Sequence, residues 1–98
     1  MTHIAAPAYI APETGYGGRH QRRGVPAGMR VSAFTAREIA EIAREGVLWL
    51  RSGHVGGAPI FSRTRYVADA DGALRFYSST GARVSIAPAD RVLHVLAR

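Results

Sequence analysis

Ile60-Phe61-Ser62-Arg63-Thr64-Arg65-Tyr66-Val67-Ala68, followed by Asp69-Ala70-Asp71-Gly72 and then Ala73-Leu74-Arg75-Phe76-Tyr77-Ser78, is the stretch that decides the fold. Aromatic and β-branched residues alternate with polar ones on either side of an Asp/Gly cluster, the pattern of a strand, a hairpin turn and a second strand. Side chains on paired strands share a face according to the parity of the loop between them. With a two- or four-residue loop, Tyr66, Arg75 and Tyr77 point one way while Val67, Leu74 and Phe76 point to the core. A three-residue loop breaks that grouping.

Outward from this hairpin the period of 2 continues. Val47–Arg51 reads as a strand and 52–59, with Gly53, Gly56, Gly57 and Pro59, as a loop. Ser79-Thr80-Gly81 turns the chain into a strand over 83–87, Pro88-Ala89-Asp90 interrupts, and a last strand covers 91–96. Short antiparallel strands joined by tight turns predict a mainly β, α+β domain: a small barrel or a strongly bent sheet. The run Val84-Ser85-Ile86-Ala87-Pro88-Ala89-Asp90-Arg91-Val92 (strand, one irregular helical turn, strand) resembles the way SH3-like and Sm-like barrels close. The likeness is architectural, is confined to this C-terminal run, and singles out no family.

One helix is expected at about 36–45. Thr35 and Glu38 have capping-box spacing, and Phe34 and Ile39 that of a hydrophobic staple. Gly46 is placed to end the helix in the left-handed conformation. Ile39, Ile42 and Ala43 form the inward stripe, and Arg37 and Glu41 are an i,i+4 pair on the wet side. A helix this short needs the strands to pack against. Residues 1–33 carry Pro7, Pro12 and Pro26 among Gly15, Gly17, Gly18, Gly24 and Gly28, with neither helical nor strand period. They read as an extended basic arm, leaving 34–98 as the domain.

All 13 side chains in the Lys+Arg count are arginine, and the chain has no Lys, Asn or Cys. That bias is first a mark of a GC-rich genome, an actinobacterium or a virus of one. A net charge of +6 then favours polyanionic partners without selecting among them. Without cysteine there is no disulfide or thiolate metal site, and without lysine no Walker lysine or Schiff base. No apolar run is long enough to span a bilayer and the first residues lack a signal-peptide pattern, so a cytoplasmic or virion location is expected.

Other local motifs are incomplete. Thr35–Ala40 opens like a helix-turn-helix, but a strand-like run occupies the place of the recognition helix. Asp69–Gly72 resembles part of a calcium loop, yet the twelfth position holds Thr80 rather than a bidentate Glu. His3, His20, His54 and His94 show no ligand spacing, and Ser78, Ser79 and Thr80 have no local base. No catalytic residue, metal site or cofactor is expected, and Trp49 between Leu48 and Leu50 reads as core.

Two features suggest a function. Arg19, Arg22 and Arg23, with Arg30, give the arm a basic run near Tyr16 and glycines, suited to a phosphate backbone. The hairpin adds Arg63, Arg65, Tyr66, Arg75 and Tyr77 as a surface on which bases can stack. The expectation is a non-catalytic module binding DNA or RNA, salt-sensitive and weakly sequence-selective. The alternative is a structural or assembly protein whose arm docks on a neighbouring subunit through Ile4, Tyr9, Ile10 and Tyr16. A small virus-encoded protein that binds a host protein fits the same features.

Overall fold

The computed structural model describes residues 21–77 and 84–98. They form strands β1 (Gln21–Arg23), β2 (Arg30–Thr35), β3 (Glu45–Val55), β4 (Ala58–Ala68), β5 (Leu74–Tyr77), β6 (Val84–Ala87) and β7 (Val92–Ala97), with helix α1 (Ala36–Ile42) between β2 and β3. All pairings are antiparallel, in the order β2-β7-β3-β4-β5-β6, with β1 also on β4. The fold is thus mainly antiparallel β with one short helix. The sheet is not closed into a barrel, because β2 and β6 end the path without pairing to each other.

The helix begins where its sequence signature puts it. The Thr35 hydroxyl accepts from the Glu38 N–H at 3.1 Å, and the Glu38 carboxylate accepts from the Thr35 N–H at 2.8 Å. Two more first-turn donors, the N–H groups of Ala36 and Arg37, reach the carbonyls of Arg91 and Ala89, both at 2.9 Å. Orphan donors of the first turn are therefore satisfied by the β6–β7 turn, which ties the helix to the sheet.

The helix ends earlier than the sequence suggests. Ile42 is its last residue, Ala43 is extended, and Gly46 lies in β3 without a positive φ. Competing partners explain the difference: Ala68 N–H donates to the Arg44 carbonyl at 2.7 Å, and the Tyr66 hydroxyl donates to the Ala43 carbonyl at 3.0 Å. These bonds from β4 take over where further helical bonds would have formed.

The expected loop at 52–59 is mostly strand. Gly56 and Gly57, at φ +56° and +82°, form a two-residue turn of the kind whose twist matches that of a hairpin. β3 and β4 run on to that turn, with a bulge between Arg51 and Gly53. Residues 21–33, assigned to the arm from sequence, also supply sheet: Gln21–Arg23 pair with Ser62–Ile60, and Arg30–Thr35 with Ala97–Val92.

The core lies on the helix side of the sheet. Ala36, Ile39 and Ala40 of α1 pack with Leu48, Tyr66, Leu74, Phe76, Leu93 and Val95. Phe34, Ile42 and Leu50 close its margins, and none of the described core residues is charged. At roughly 1.5–3 kcal/mol for each large apolar side chain buried, this layer supplies most of the driving force for folding.

Candidate functional site

Among the described residues, no helix covers the opposite side of the sheet, and strand alternation fixes what it displays. On β3 the residues out of register with Leu48 and Leu50 are Val47, Trp49 and Arg51; on β4 they are Phe61, Arg63, Arg65 and Val67. Cross-strand pairing assembles these into rows. Val47, Arg65 and Tyr77 form one row; Val67 and Arg75 form the next. Trp49 faces Arg63, while Arg51, Phe61 and Arg22 lie in line across β3, β4 and β1. The β3–β7 pair Leu50↔Val95 puts Leu96 beside Trp49.

The result is a surface of guanidinium groups over an apolar layer. Phe61 and Leu96 are fully buried although they lie on this side, outside the main core cluster. The Arg22 side chain crosses β4 to bring its guanidinium 5.4 Å from the centre of the Trp49 ring. Arg65 reaches 5.8 Å from the Tyr77 ring. Both distances are those of cation–π contacts. Arg75 forms an ion pair with Asp69 at 2.9 Å, a pair half open to water and therefore weak.

The hairpin register corrects the grouping of tyrosines and arginines expected for this surface. Ala68 pairs with Leu74, so the loop holds the five residues 69–73, closed by Asp69 N–H to the Ala73 carbonyl at 2.8 Å. An odd loop reverses parity: Tyr66 falls opposite Phe76 and is fully buried, while Arg75 and Tyr77 join Arg65 and Val67. Tyr66 is a core residue, with its hydroxyl on the Ala43 carbonyl. Burial pushes its pKa up to about 12.

Of the remaining predicted residues, Arg22, Arg63, Arg65, Arg75 and Tyr77 come together on one face. Arg23 pairs with Ile60 and Arg30 with Ala97, positions of the opposite parity, so both belong to the other side of the sheet. Arg19, Ile4, Tyr9, Ile10 and Tyr16 lie outside the described residues. Two members of the face, Trp49 and Arg51, are not among the residues the sequence singles out. Trp49 is only partly buried and sits outside the core cluster. Its signal was present in Val47-Leu48-Trp49-Leu50-Arg51, where strict alternation puts Trp49 with Arg51 and away from the leucines.

Charge is distributed unevenly along the molecule. The acids among the described residues are Glu38, Glu41, Glu45, Asp69, Asp71 and Asp90. They sit on α1, at the start of β3, in the β4–β5 loop and in the β6–β7 turn. Backbone bonds from Arg37 to Ala89 and from Ala68 to Arg44 hold these segments together at one end. Among the described residues, no group of three or more His, Asp or Glu is placed to hold a metal, and no helix is long and apolar enough to cross a membrane. Comparison of the chain with protein-family models, with curated proteins and with solved structures finds no match.

Proposed function

We propose that the face of the sheet opposite α1 is a nucleic-acid-binding surface, and that the chain is a non-catalytic module that binds single strands with little sequence preference. The observation that carries this reading is the convergence of Arg22, Arg51, Arg63, Arg65 and Arg75 with Trp49 and Tyr77 on one side of the sheet. Guanidinium groups neutralise phosphates, and every base has a π face that an aromatic ring can stack on. Glu45 and Asp69 are the acids at the margin of this face, so the local balance stays positive. The arginines over Trp49 and Tyr77 are positioned to exchange a ring contact for a phosphate while a base takes the ring.

The test is binding of a labelled mixed-sequence oligonucleotide, single-stranded and duplex, between about 50 and 200 mM salt. For single strands, log K is expected to fall with log salt by about 0.7 for each phosphate neutralised. In the triple variant Arg22→Ala, Arg51→Ala, Arg65→Ala that slope should become shallower by about 2. Quenching of Trp49, the sole tryptophan, should accompany binding. An unchanged slope in a folded variant would remove the face from the account.

A further inference from the structure

The two strands that end the sheet are not equally guarded. β6 runs for four residues and is followed by Pro88, and short length and proline both blunt an edge. β2 runs for six residues, Arg30-Val31-Ser32-Ala33-Phe34-Thr35, without proline or bulge, and one side of it pairs with β7 throughout. What its other side offers follows from the ladder. The Ala36 N–H donates to the Arg91 carbonyl at 2.9 Å, one step beyond the pair Thr35↔Val92. Antiparallel pairs alternate between those that exchange hydrogen bonds and those that do not, so Phe34, Ser32 and Arg30 turn their backbone groups to β7. Thr35, Ala33 and Val31 turn theirs outward. Thr35 agrees with this phase, because its N–H goes to the Glu38 carboxylate. Val31 and Ala33, both exposed, are left with their N–H and C=O groups on an open edge, and no backbone bond from the described residues meets them there.

We infer that two copies of the chain pair along this edge, β2 against β2, so that one sheet runs through both. In the antiparallel register that sets Val31 of each copy opposite Ala33 of the other, every outward backbone group of both residues finds a partner. A register centred on Ala33 fits less well, because it sets Val31 against Thr35, whose N–H is already taken. Charge selects a second copy as the occupant. The edge is positive at Arg30 and negative where Glu38 caps Thr35. Arg30 shares its parity with Phe34 at the margin of the core, and Glu38 belongs to α1, so both charges lie on the helix side of the sheet. In the paired edge Arg30 falls opposite Phe34 of the second copy, next to Thr35 and its Glu38 carboxylate, and this happens at both ends. Parallel pairing in register would instead set Arg30 against Arg30. A two-fold axis between the Ser32 residues makes the contact isologous and closed. The axis is perpendicular to the sheet, so both α1 helices lie on one side and both arginine faces on the other. The pairing does not depend on what those faces bind.

The full-length protein is followed by sedimentation velocity from roughly 10 μM to 1 mM, the affinity range of small, transient contacts. A monomer–dimer equilibrium is expected. Ala33→Pro removes an outward N–H and none from the β7 ladder, so it should abolish the dimer while urea unfolding stays cooperative. Arg30→Glu tests the same contact from its rim, should the proline variant not fold. It sets acid against Glu38 at both ends and should weaken the dimer roughly tenfold, the sum of two exposed pairs.

Cysteine placement reads the register, since the chain has no cysteine of its own. Ser32 faces its own copy across the axis as a pair without hydrogen bonds, with Cα atoms about 4.5 Å apart, inside the span of a disulfide. Ser32→Cys should therefore oxidise to a covalent dimer. In Val31→Cys and Ala33→Cys the two thiols are offset by two residues along the strands, with Cα atoms roughly 8 Å apart, and should stay reduced. Disulfide formation at Ala33→Cys in place of Ser32→Cys overturns the register. A monomer at every concentration, or a dimer indifferent to Arg30→Glu with Ser32→Cys left reduced, overturns the pairing.

Discussion

Tyr66 shows how much one side chain can decide. It is fully buried, faces Phe76 across the hairpin and holds the Ala43 carbonyl at the point where the helix stops. Tyr66→Phe keeps the ring and leaves that carbonyl without its phenolic partner, so urea denaturation should show a loss of about 1 kcal/mol. Its titration gives a second expectation. The native state favours the neutral phenol, with a pKa of about 12 against 10.0 for an ordinary tyrosine. The raised folded-state value means that the contribution is whole below pH 10 and is lost as pH climbs from 10 towards 12. Stability measured across that window should fall more steeply in the wild-type protein than in Tyr66→Phe; parallel curves would contradict the assignment. Trp49 is the converse case, a large aromatic that looks like core and lies under Arg22 on the outer face.

At the scale of single elements, the features legible in the sequence were those closed within a few residues. The Thr35–Glu38 box needs only a three-residue spacing, and it forms as read. Thr35→Ala should cost about 1 kcal/mol, visible as a lower midpoint in thermal or urea unfolding. The Gly56–Gly57 turn was legible only as part of a longer loop over 52–59, most of which is strand. A string of glycines signals freedom, and only pairing between β3 and β4 shows that the freedom is spent on two left-handed residues. Gly57→Val should therefore destabilise by roughly 1–2 kcal/mol, while Gly56→Asn, whose side chain tolerates that conformation, should cost clearly less. Equal effects would argue against this turn. The hairpin parity turned on whether Asp69–Ala73 counts as four residues or five, a matter of two backbone bonds that composition does not reveal. β1 and β2 stayed hidden because their partners, Ser62 to Ile60 and Ala97 to Val92, lie far along the chain.

Over the whole molecule, the sheet separates functions that the chain interleaves. Alternation along β3, β4 and β5 sends leucines and Tyr66 under the helix and arginines with Trp49 and Tyr77 to the other side. Acids gather with the helix and the adjoining turns, away from the β3–β4 hairpin. The strand order adds one constraint. β2 and β3 flank the helix in sequence, yet β7 lies between them in the sheet. A chain cut after Arg91 should thus lose cooperative unfolding as judged by circular dichroism, rather than simply fray at one edge. The same arrangement bears on how the protein is made. While a ribosome is still adding the residues before Val92, β2 has no strand to pair with and the apolar side of α1 has only part of its cover. The nascent chain must keep Phe34, Ile39 and Leu48 from other company until Leu93 and Val95 emerge and slide into the seam.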